Sequence, residues 1–399
     1  MNISWLWSIQ YFVFVFFAFI TTILALSVKI FSFDKDLNKV LLVYLIVAII
    51  STIRHPYFSL FIVIQNFART SVIIGVIYLK NQYKKALLDW FVNVFTIILL
   101  ISIPAWLLYL SGLPFTHGPL VDIGDGFHYL YNYKFFIIGE LSLGLTPRFA
   151  SVFLEPGWVG TMCCFVLFST QFNRNKLSTY LCLIGLLLSF SLSAIVNLLV
   201  CSLMWIILNS NHKLLYLSIA FVIVGIFFWF ATSYRNGNNV LNETIVERLA
   251  FDEDLGIVGN NRTNDLFDSA YEDLLNSSDK WFGIGNEVDA DFMYSNDWYN
   301  HSSGIRKDIL DNGLIGTGLY LLLLFLLLFR YKGKRSFVFM VCFLMASFIR
   351  NLWRCDFYLI IYIVSLCCLS TSGSSRKTSV TNGTILKAKN NKRYSMERC

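Results

Sequence analysis

The chain has 399 residues, of which 56% are hydrophobic and only 14% are charged. Soluble globular proteins carry roughly 25% charged residues, and here the apolar residues form runs long enough to cross a bilayer, so a soluble globular protein is excluded. The formal net charge is +7. The basic residues lie between apolar runs, so no nucleic-acid partner is needed to explain that charge.

The apolar runs predict an all-α polytopic membrane protein with about eleven transmembrane helices, within a range of about ten to twelve. The first run is too long for the apolar core of a signal peptide and is interpreted as the first span. The predicted spans cover residues 5–28, 40–53, 57–79, 87–110, 150–170, 178–191, 194–209, 214–231, 313–329, 336–350 and 357–370.

One apolar stretch, residues 177–208, is too long for a single helix. We divide it at Ser191-Leu192-Ser193, which gives two short helices. The alternative is one tilted helix, which would invert the orientation of every span before it.

Basic residues alternate between the connections of this prediction. Five connections and the C-terminal tail hold 20 of the 32 Lys and Arg residues, all on one side. Because cytoplasmic loops carry the excess of Lys and Arg, this side is predicted to be cytoplasmic. The N-terminus then lies outside, and the tail lies inside, near anionic lipid.

The predicted spans and loops divide the chain into four segments. Residues 1–230 hold helices one to eight with an external loop at 111–147, and residues 231–312 form a large external loop. Residues 313–370 hold the last three helices, and residues 371–399 form a basic cytoplasmic tail. The large loop has 16 acidic and six basic residues but is not of low complexity, so we expect it to fold over the membrane surface.

The nine cysteines lie mostly inside apolar runs, where they are interpreted as small packing residues. Their spacing suggests no metal site. The sequence therefore predicts neither a metal nor another cofactor.

The first candidate site runs from Arg148 to Gly157, at the outer mouth of the fifth predicted span. Glu155 is expected inside that span, where a carboxylate needs a partner or a polar cavity. Pro156 and Gly157 are expected to break the helix and free backbone groups. A broken helix beside a carboxylate suggests a lined cavity; the alternative is a buried structural Glu–Arg pair.

The second candidate site consists of arginines in the acidic loop, Arg248, Arg262 and Arg306. The planar guanidinium suits phosphate oxygens and stays charged. A lipid-linked pyrophosphate at the membrane surface would need such partners. The alternative is that these arginines form salt bridges within the loop.

The third candidate site is His301, near the end of the large loop. Histidine can act as a base near neutral pH, although a lone histidine is more often structural. Asp308 or Asp311 could orient its ring. Arg69 lies in mid-span with polar neighbours and is expected to face protein or water rather than lipid.

In this order, these motifs resemble those of the Wzy-type O-antigen and polysaccharide repeat-unit polymerases and the related O-antigen ligases. The resemblance covers roughly residues 40–370. The matching pieces are Arg148-Phe149 with Phe153-Leu154-Glu155-Pro156-Gly157, the short helices around 189–193, Asn261-Arg262, Trp281-Phe282-Gly283-Ile284-Gly285, Asn300-His301-Ser302, and Leu310 with Gly313-Leu314-Ile315-Gly316.

The resemblance implies a glycosyltransferase of the GT-C type in the bacterial inner membrane, active at the periplasmic face in lipopolysaccharide biosynthesis. It would join undecaprenyl-pyrophosphate-linked oligosaccharide repeat units without a cofactor. Its partners would be this lipid-linked oligosaccharide, membrane lipid and a chain-length regulator protein.

The implied roles fall on the candidate residues. Arg148, Arg248, Arg262 and Arg306 would bind the pyrophosphate, and His301 or Glu155 would accept the proton of the acceptor hydroxyl. Trp281 would stack on a sugar ring. The sequence departs from the family after His301, where Ser302-Ser303 and Arg306-Lys307 replace a more apolar stretch, so the identity of the base stays open.

Two other functions compete with the polymerase. An O-antigen ligase would transfer the finished glycan to lipid A–core. A lipid-linked oligosaccharide transporter is expected to show repeated halves and mid-membrane charges, whereas the polar residues here concentrate on one predicted external face.

Overall fold

The computed structural model describes residues 20, 30–32, 34–53, 60–118, 120–122, 129–139, 147–173, 175–239, 241–249, 251–252, 256–257, 265–285, 304–350, 352 and 355–370. The predicted span 5–28, apart from residue 20, and the tail at 371–399 therefore lie outside the described residues.

The described part of the chain is mainly helical. Its α-helices are α1 (Lys35–Ile53), α2 (Leu60–Tyr78), α3 (Asn81–Leu110), α4 (Pro156–Ser169), α5 (Leu177–Leu188), α6 (Leu192–Asn209), α7 (Lys213–Ser233), α8 (Asp265–Asn276), α9 (Gly304–Arg330), α10 (Lys334–Ile349) and α11 (Asp356–Ser370). Short 3-10 helices span Tyr234–Gly237, Glu247–Leu249 and Ser278–Trp281, and a π-helical turn spans Asn242–Val246.

Two small antiparallel sheets lie in the segments between helices. Strands β1 (Val121–Asp122), β2 (Tyr129–Asn132) and β3 (Ile137–Gly139) pair in that order, with Leu130 opposite Gly139. Strands β4 (Phe251–Asp252) and β5 (Gly256–Ile257) form the second sheet. The first sheet lies near the end of α3, where the ring of Tyr133 packs on the ring of Tyr109.

Four helices are long and apolar enough to cross a membrane among the described residues: α3, α6, α7 with its 3-10 extension to Gly237, and α9. Helices α4, α5 and α11 are apolar but shorter. The chain is therefore a membrane protein with several apolar helices. Helix α4 is buried along almost its whole length, whereas α7 exposes large apolar side chains such as Phe221 and Trp229.

Most predicted spans with described residues coincide with helices, including the division of residues 177–208 into α5 and α6, which is confirmed. Four helices begin at other residues than predicted. Helices α1 and α3 begin earlier, at Lys35 and Asn81. Helix α4 begins at Pro156 rather than near residue 150, because proline lacks the N–H that a helix interior needs and is favoured in the first turn. Helix α9 begins at Gly304, so residues 304–312 of the predicted loop are helical.

The connections that sequence analysis placed on one side meet at one end of the helix bundle, which we call the basic end. Arg330, at the end of α9, pairs with Asp34, which precedes α1. Arg335 donates a hydrogen bond to Gln171, and Lys334 donates one to the carbonyl of Leu208 over 2.9 Å. The ends of α4, α6 and α9 and the starts of α1 and α10 therefore lie together.

Asp34 also begins α1 at this end. Its carboxylate accepts a hydrogen bond from the backbone N–H of Asp36 over 3.0 Å, which satisfies one free donor of the first turn. That backbone hydrogen bond lowers the pKa of Asp34, and the guanidinium of Arg330 lowers it further.

Candidate functional site

The opposite end of the bundle, at which α2, α4, α9 and α11 begin, is called the loop end. Helix α9 is broken there. Gly313 has φ of 68° and ψ of −177°, a conformation that only glycine adopts readily. The break deprives the carbonyls of Leu310 and Asp311 of the helical N–H groups that would normally follow four residues later.

A loop segment docks on this break. The backbone N–H of Ile284 donates to the carbonyl of Leu310 over 2.8 Å, and that of Gly285 donates to the carbonyl of Asp311 over 3.0 Å. The approach is so close that a Cβ on Gly313 would overlap backbone atoms of Trp281 and Phe282. The Gly-Ile-Gly turn is therefore a backbone clasp on α9.

Helix α8 precedes the clasp and also contacts the start of α9. Arg306 forms an ion pair of 2.5 Å with Asp268, and its guanidinium lies 5.2 Å from the ring centre of Tyr271. Phe267, Leu274 and Leu310 form a small buried apolar cluster. This part of the large loop is thus a packed layer over α9.

A polar cavity of about 250 Å³ lies at the loop end between α1, α2, α9 and α11. Its walls combine charged, amide, hydroxyl and apolar side chains. The lining residues are Tyr44, Val47, Ala48, Ile50, Asn66, Arg69, Thr70, Asp308, Asn312, Gly316, Leu319, Tyr320, Asp356 and Leu359. Each of the four helices contributes at least one polar side chain to it.

An ion pair joins two walls of the cavity. Nε of Arg69, on α2, lies 2.5 Å from Oδ2 of Asp356, the first residue of α11. The pair tethers α2 to α11 and neutralises two charges that would otherwise be costly among apolar helices. The expectation that Arg69 faces protein or a polar space is confirmed.

Asp308 is held on the α9 wall and is only 3% exposed. Its Oδ2 accepts a hydrogen bond of 2.7 Å from the hydroxyl of Thr317, across the break in the helix. The amide of Asn312 donates to the Asp308 side chain over 3.3 Å, and Gly316 leaves the room that the Asn312 side chain occupies. The broken helix therefore fixes a carboxylate and an amide at the cavity wall.

Glu155 has a different setting from the one expected. It precedes α4 in an extended conformation and is not inside a helix. Its Oε2 lies 2.6 Å from Nη1 of Arg350, which is 7% exposed and lies 5.2 Å from the ring centre of Trp158. Gly157 leaves space for this guanidinium, because a Cβ there would overlap it. The alternative of a structural Glu–Arg pair is thus realised with Arg350.

Arg148 also has structural contacts. Its Nε donates to the carbonyl of Ser189 over 3.1 Å and its Nη2 to the carbonyl of Phe190 over 3.0 Å. These carbonyls lie in the turn between α5 and α6, where helical partners are missing. Arg148 therefore stabilises the junction of the two short helices.

The structure brings some of the predicted site residues together and leaves others apart. Arg306 belongs to the first half of α9, and Trp281 ends the 3-10 helix whose backbone contacts Gly313 at the break. The ring of Trp281 is half-exposed. Glu155 is linked to the same region, because the backbone of its partner Arg350 packs against Gly304. Arg248 lies in a 3-10 turn after α7, and His301 and Arg262 lie outside the described residues.

Asp356 is the charged residue of the cavity that was not predicted from the sequence. The sequence does show an acidic residue at the start of one apolar run and an arginine within another, and such charges among apolar helices need partners. Only a fold could show that the two meet, since they are 287 positions apart. Among the described residues, no group of three or more His, Cys, Asp or Glu side chains could hold a metal ion.

Together, these contacts define a small cavity with two carboxylates, one guanidinium and several neutral polar groups, beside a fixed loop layer. Such a site can bind a polar ligand through several hydrogen bonds. No family model, curated protein or solved structure matches the chain.

Proposed function

We propose that this chain is a polysaccharide repeat-unit polymerase, an O-antigen polymerase in lipopolysaccharide biosynthesis. The observation that carries the proposal is the polar cavity at the loop end, set among apolar helices and lined in part by helix α9, which the α8 layer also contacts. A glycosyltransferase that uses lipid-linked substrates needs polar contacts for sugars next to a surface that contacts lipid. The motif order described above supports the same function.

In the proposed reaction, a hydroxyl of the acceptor repeat unit attacks the anomeric carbon of the sugar on the donor lipid. A glycosidic bond forms, and the bond from that carbon to the pyrophosphate oxygen breaks. Undecaprenyl pyrophosphate leaves with the electron pair, and the hydroxyl proton passes to a base. Cationic side chains stabilise the charge that develops on the leaving group.

The contacts at the loop end refine which residues suit each step. Arg148 and Glu155 are engaged in helix junctions, so they suit positioning better than direct chemistry. Asp308 suits the role of base or of orienting group for His301, because it lies at the cavity wall. Arg262 and Arg306 stay candidates for the pyrophosphate, with Arg306 released from Asp268 on binding.

The topology belongs to the same proposal. About eleven spans of GT-C type would place the loop end at the periplasmic face of the inner membrane and the basic end in the cytoplasm. Membrane-anchored donor and acceptor would then both reach the cavity from the bilayer.

The test is the glycan made by a strain from which the gene has been deleted, compared with the same strain complemented by the intact gene. Loss of the polymerase leaves single repeat units on the lipid A–core, and complementation restores the ladder on a gel. Bare core in the deletion strain would show a ligase or a transporter instead, and an unchanged ladder would refute all three functions.

A further inference from the structure

Four basic residues lie around the last turn of α6 at the basic end of the bundle, and together they are called the cationic patch: Lys213, Lys332, Lys334 and Arg335. Nζ of Lys334, the first residue of α10, donates a hydrogen bond of 2.9 Å to the carbonyl of Leu208 near the end of α6. The guanidinium of Arg335 lies 5.8 Å from the ring centre of Trp205, one turn earlier on α6. The other two lysines directly precede α10 and begin α7.

The helices that meet at the cationic patch supply no carboxylate to balance it. Residues 156–233, which form α4 to α7, contain no Asp or Glu, and neither do residues 331–355, which include α10. In the part of the chain that the structure describes, the three lysines of the patch form no ion pair, whereas Lys176 at the same end lies 3.7 Å from Asp89. These three charges are therefore available to an anionic partner.

Exposed apolar side chains lie beside the cationic patch on all three helices. Leu214 follows Lys213 in α7 and is 82% exposed, and Phe337 on α10 is 41% exposed. Ile207 on the last turn of α6 is exposed as well. Helices α6 and α7 are both long and apolar enough to cross a membrane. The patch therefore joins a positively charged group to apolar surface that runs along membrane-spanning helices.

This combination of charge and apolar surface matches one class of ligand. Basic pockets between transmembrane helices bind the head groups of anionic lipids, and their acyl chains lie along the neighbouring helices. The ring of Trp205 suits the boundary between head groups and acyl chains, where tryptophan is enriched. A nucleic acid or an acidic protein would match the charge but would leave the apolar faces of α6, α7 and α10 unused.

We infer that the cationic patch is a binding site for an anionic phospholipid. Its phosphate contacts Lys334 and Arg335, and its acyl chains lie along the exposed faces of α6, α7 and α10. Within α7, only Ala231 is buried in the protein, so a lipid shared by α7 and α10 adds a contact that holds α7 in place. The inference depends neither on the proposed function nor on which side of the membrane the basic end lies.

The test measures the binding of single lipid molecules to the purified full chain in detergent by native mass spectrometry. One probe is dioleoyl phosphatidylglycerol, which is anionic, and the other is dioleoyl phosphatidylcholine, which has the same acyl chains and no net charge. We expect the first phosphatidylglycerol to bind at least about fivefold more tightly than the first phosphatidylcholine, because each nearby Lys or Arg adds about that factor for an anionic lipid.

The main variant combines Lys334→Gln with Arg335→Gln, which removes two charges and keeps polar side chains. We expect it to bind phosphatidylglycerol about tenfold or more weakly and phosphatidylcholine as before. The matched control combines Lys35→Gln with Lys39→Gln, which removes two exposed charges from α1 at the same end of the bundle. The control is expected to bind both lipids as the intact chain does.

Two further variants separate the loss of charge from damage to the fold. Lys213→Gln with Lys332→Gln changes two exposed side chains of the cationic patch and should weaken phosphatidylglycerol binding about fivefold or more. Lys334→Arg keeps the charge and should keep the preference for phosphatidylglycerol. Each variant is compared at an unfolding temperature measured in the same detergent.

Equal binding of the two lipids by the intact chain would overturn the inference, and so would unchanged phosphatidylglycerol binding in either pair of patch substitutions to glutamine. An equal loss in the Lys35 and Lys39 control would also overturn it, because the attraction would then belong to the basic end as a whole. A patch variant that lost both lipids alike would show that the charges do not select the lipid.

Discussion

Arginines at the loop end differ in their partners, and the partner decides what each can do. Arg148 donates to two backbone carbonyls, Arg350 pairs with Glu155, Arg306 pairs with Asp268, and Arg69 lines the cavity. A guanidinium offers five donors in a plane, so it can fix a helix junction as well as bind a phosphate. The residue type alone therefore does not separate structural from functional arginines.

The Glu155–Arg350 pair is expected to stabilise the fold. Glu155→Gln would leave the guanidinium of Arg350, only 7% exposed, without its carboxylate. Breaking a fully buried ion pair lowers the free energy of unfolding by about 3–5 kcal/mol. Because Glu155 is itself 31% exposed, we expect Glu155→Gln to lower it by only about 1–3 kcal/mol. The measurement is the unfolding temperature of the purified variant in detergent.

The Lys176–Asp89 pair is the matched control, because both of its side chains are about half exposed and the charges lie 3.7 Å apart. Asp89→Asn should change the unfolding temperature little. Equal effects of the Glu155 and Asp89 variants would show that the buried pair contributes no more to stability than the exposed pair.

Arg148 provides a second prediction at this scale. Lysine keeps the charge but has a single nitrogen and cannot bridge the carbonyls of Ser189 and Phe190 as a planar fork does. Arg148→Lys should lower stability by about 1–2 kcal/mol, measured as above. Full stability together with loss of glycan elongation would instead place Arg148 at the substrate.

At the scale of elements, the broken helix α9 organises the loop end. Its first half carries Arg306 and Asp308, its break receives the clasp around Gly283, and its second half continues to the basic end. The sequence did not reveal this break, because Gly313 stands in a pattern that continues as an apolar helix. The break depends on backbone contacts with a segment that lies more than twenty residues earlier in the chain.

Substitutions of two glycines in α9 should have opposite effects. Gly313→Ala introduces a side chain where φ is 68° and where backbone atoms of Trp281 and Phe282 leave no space. We expect a loss of about 3 kcal/mol or more and faster proteolysis in residues 265–285 as the clasp detaches.

Gly318→Ala is the control in the same helix, since nothing lies within 4 Å of the added Cβ. It should be neutral or stabilise by up to about 1 kcal/mol, because alanine favours the helix. If Gly313→Ala matched Gly318→Ala in stability and in proteolysis rate, the clasp on the broken helix would be contradicted.

At the scale of the whole molecule, the sequence was most informative where a pattern is local. Apolar runs gave the positions of the helices, and Ser191-Leu192-Ser193 gave the division between α5 and α6. The alternation of basic connections anticipated the contacts at the basic end, such as Arg330 with Asp34. The cavity could not be predicted in this way, because its four helices meet only through long-range packing.

The orientation of the bundle leads to a prediction of its own. A reporter enzyme that is active only outside the cytoplasm should be active when inserted at residue 142, in the external loop predicted from the sequence. It should be inactive when inserted after Lys332 at the basic end, because basic connections stay in the cytoplasm. As a control, an immunoblot should show equal amounts of both fusion proteins. The reverse pattern of activity would place the cavity on the cytoplasmic side.

The central claim is that this chain itself joins lipid-linked repeat units. Its most direct test is to incubate the purified chain, in vesicles, with the host's undecaprenyl-pyrophosphate-linked repeat unit and to separate the products by size. We expect a ladder of longer lipid-linked glycans and release of undecaprenyl pyrophosphate in step with each added unit. A substrate that stays a single repeat unit, with an intact and correctly folded chain, would contradict it.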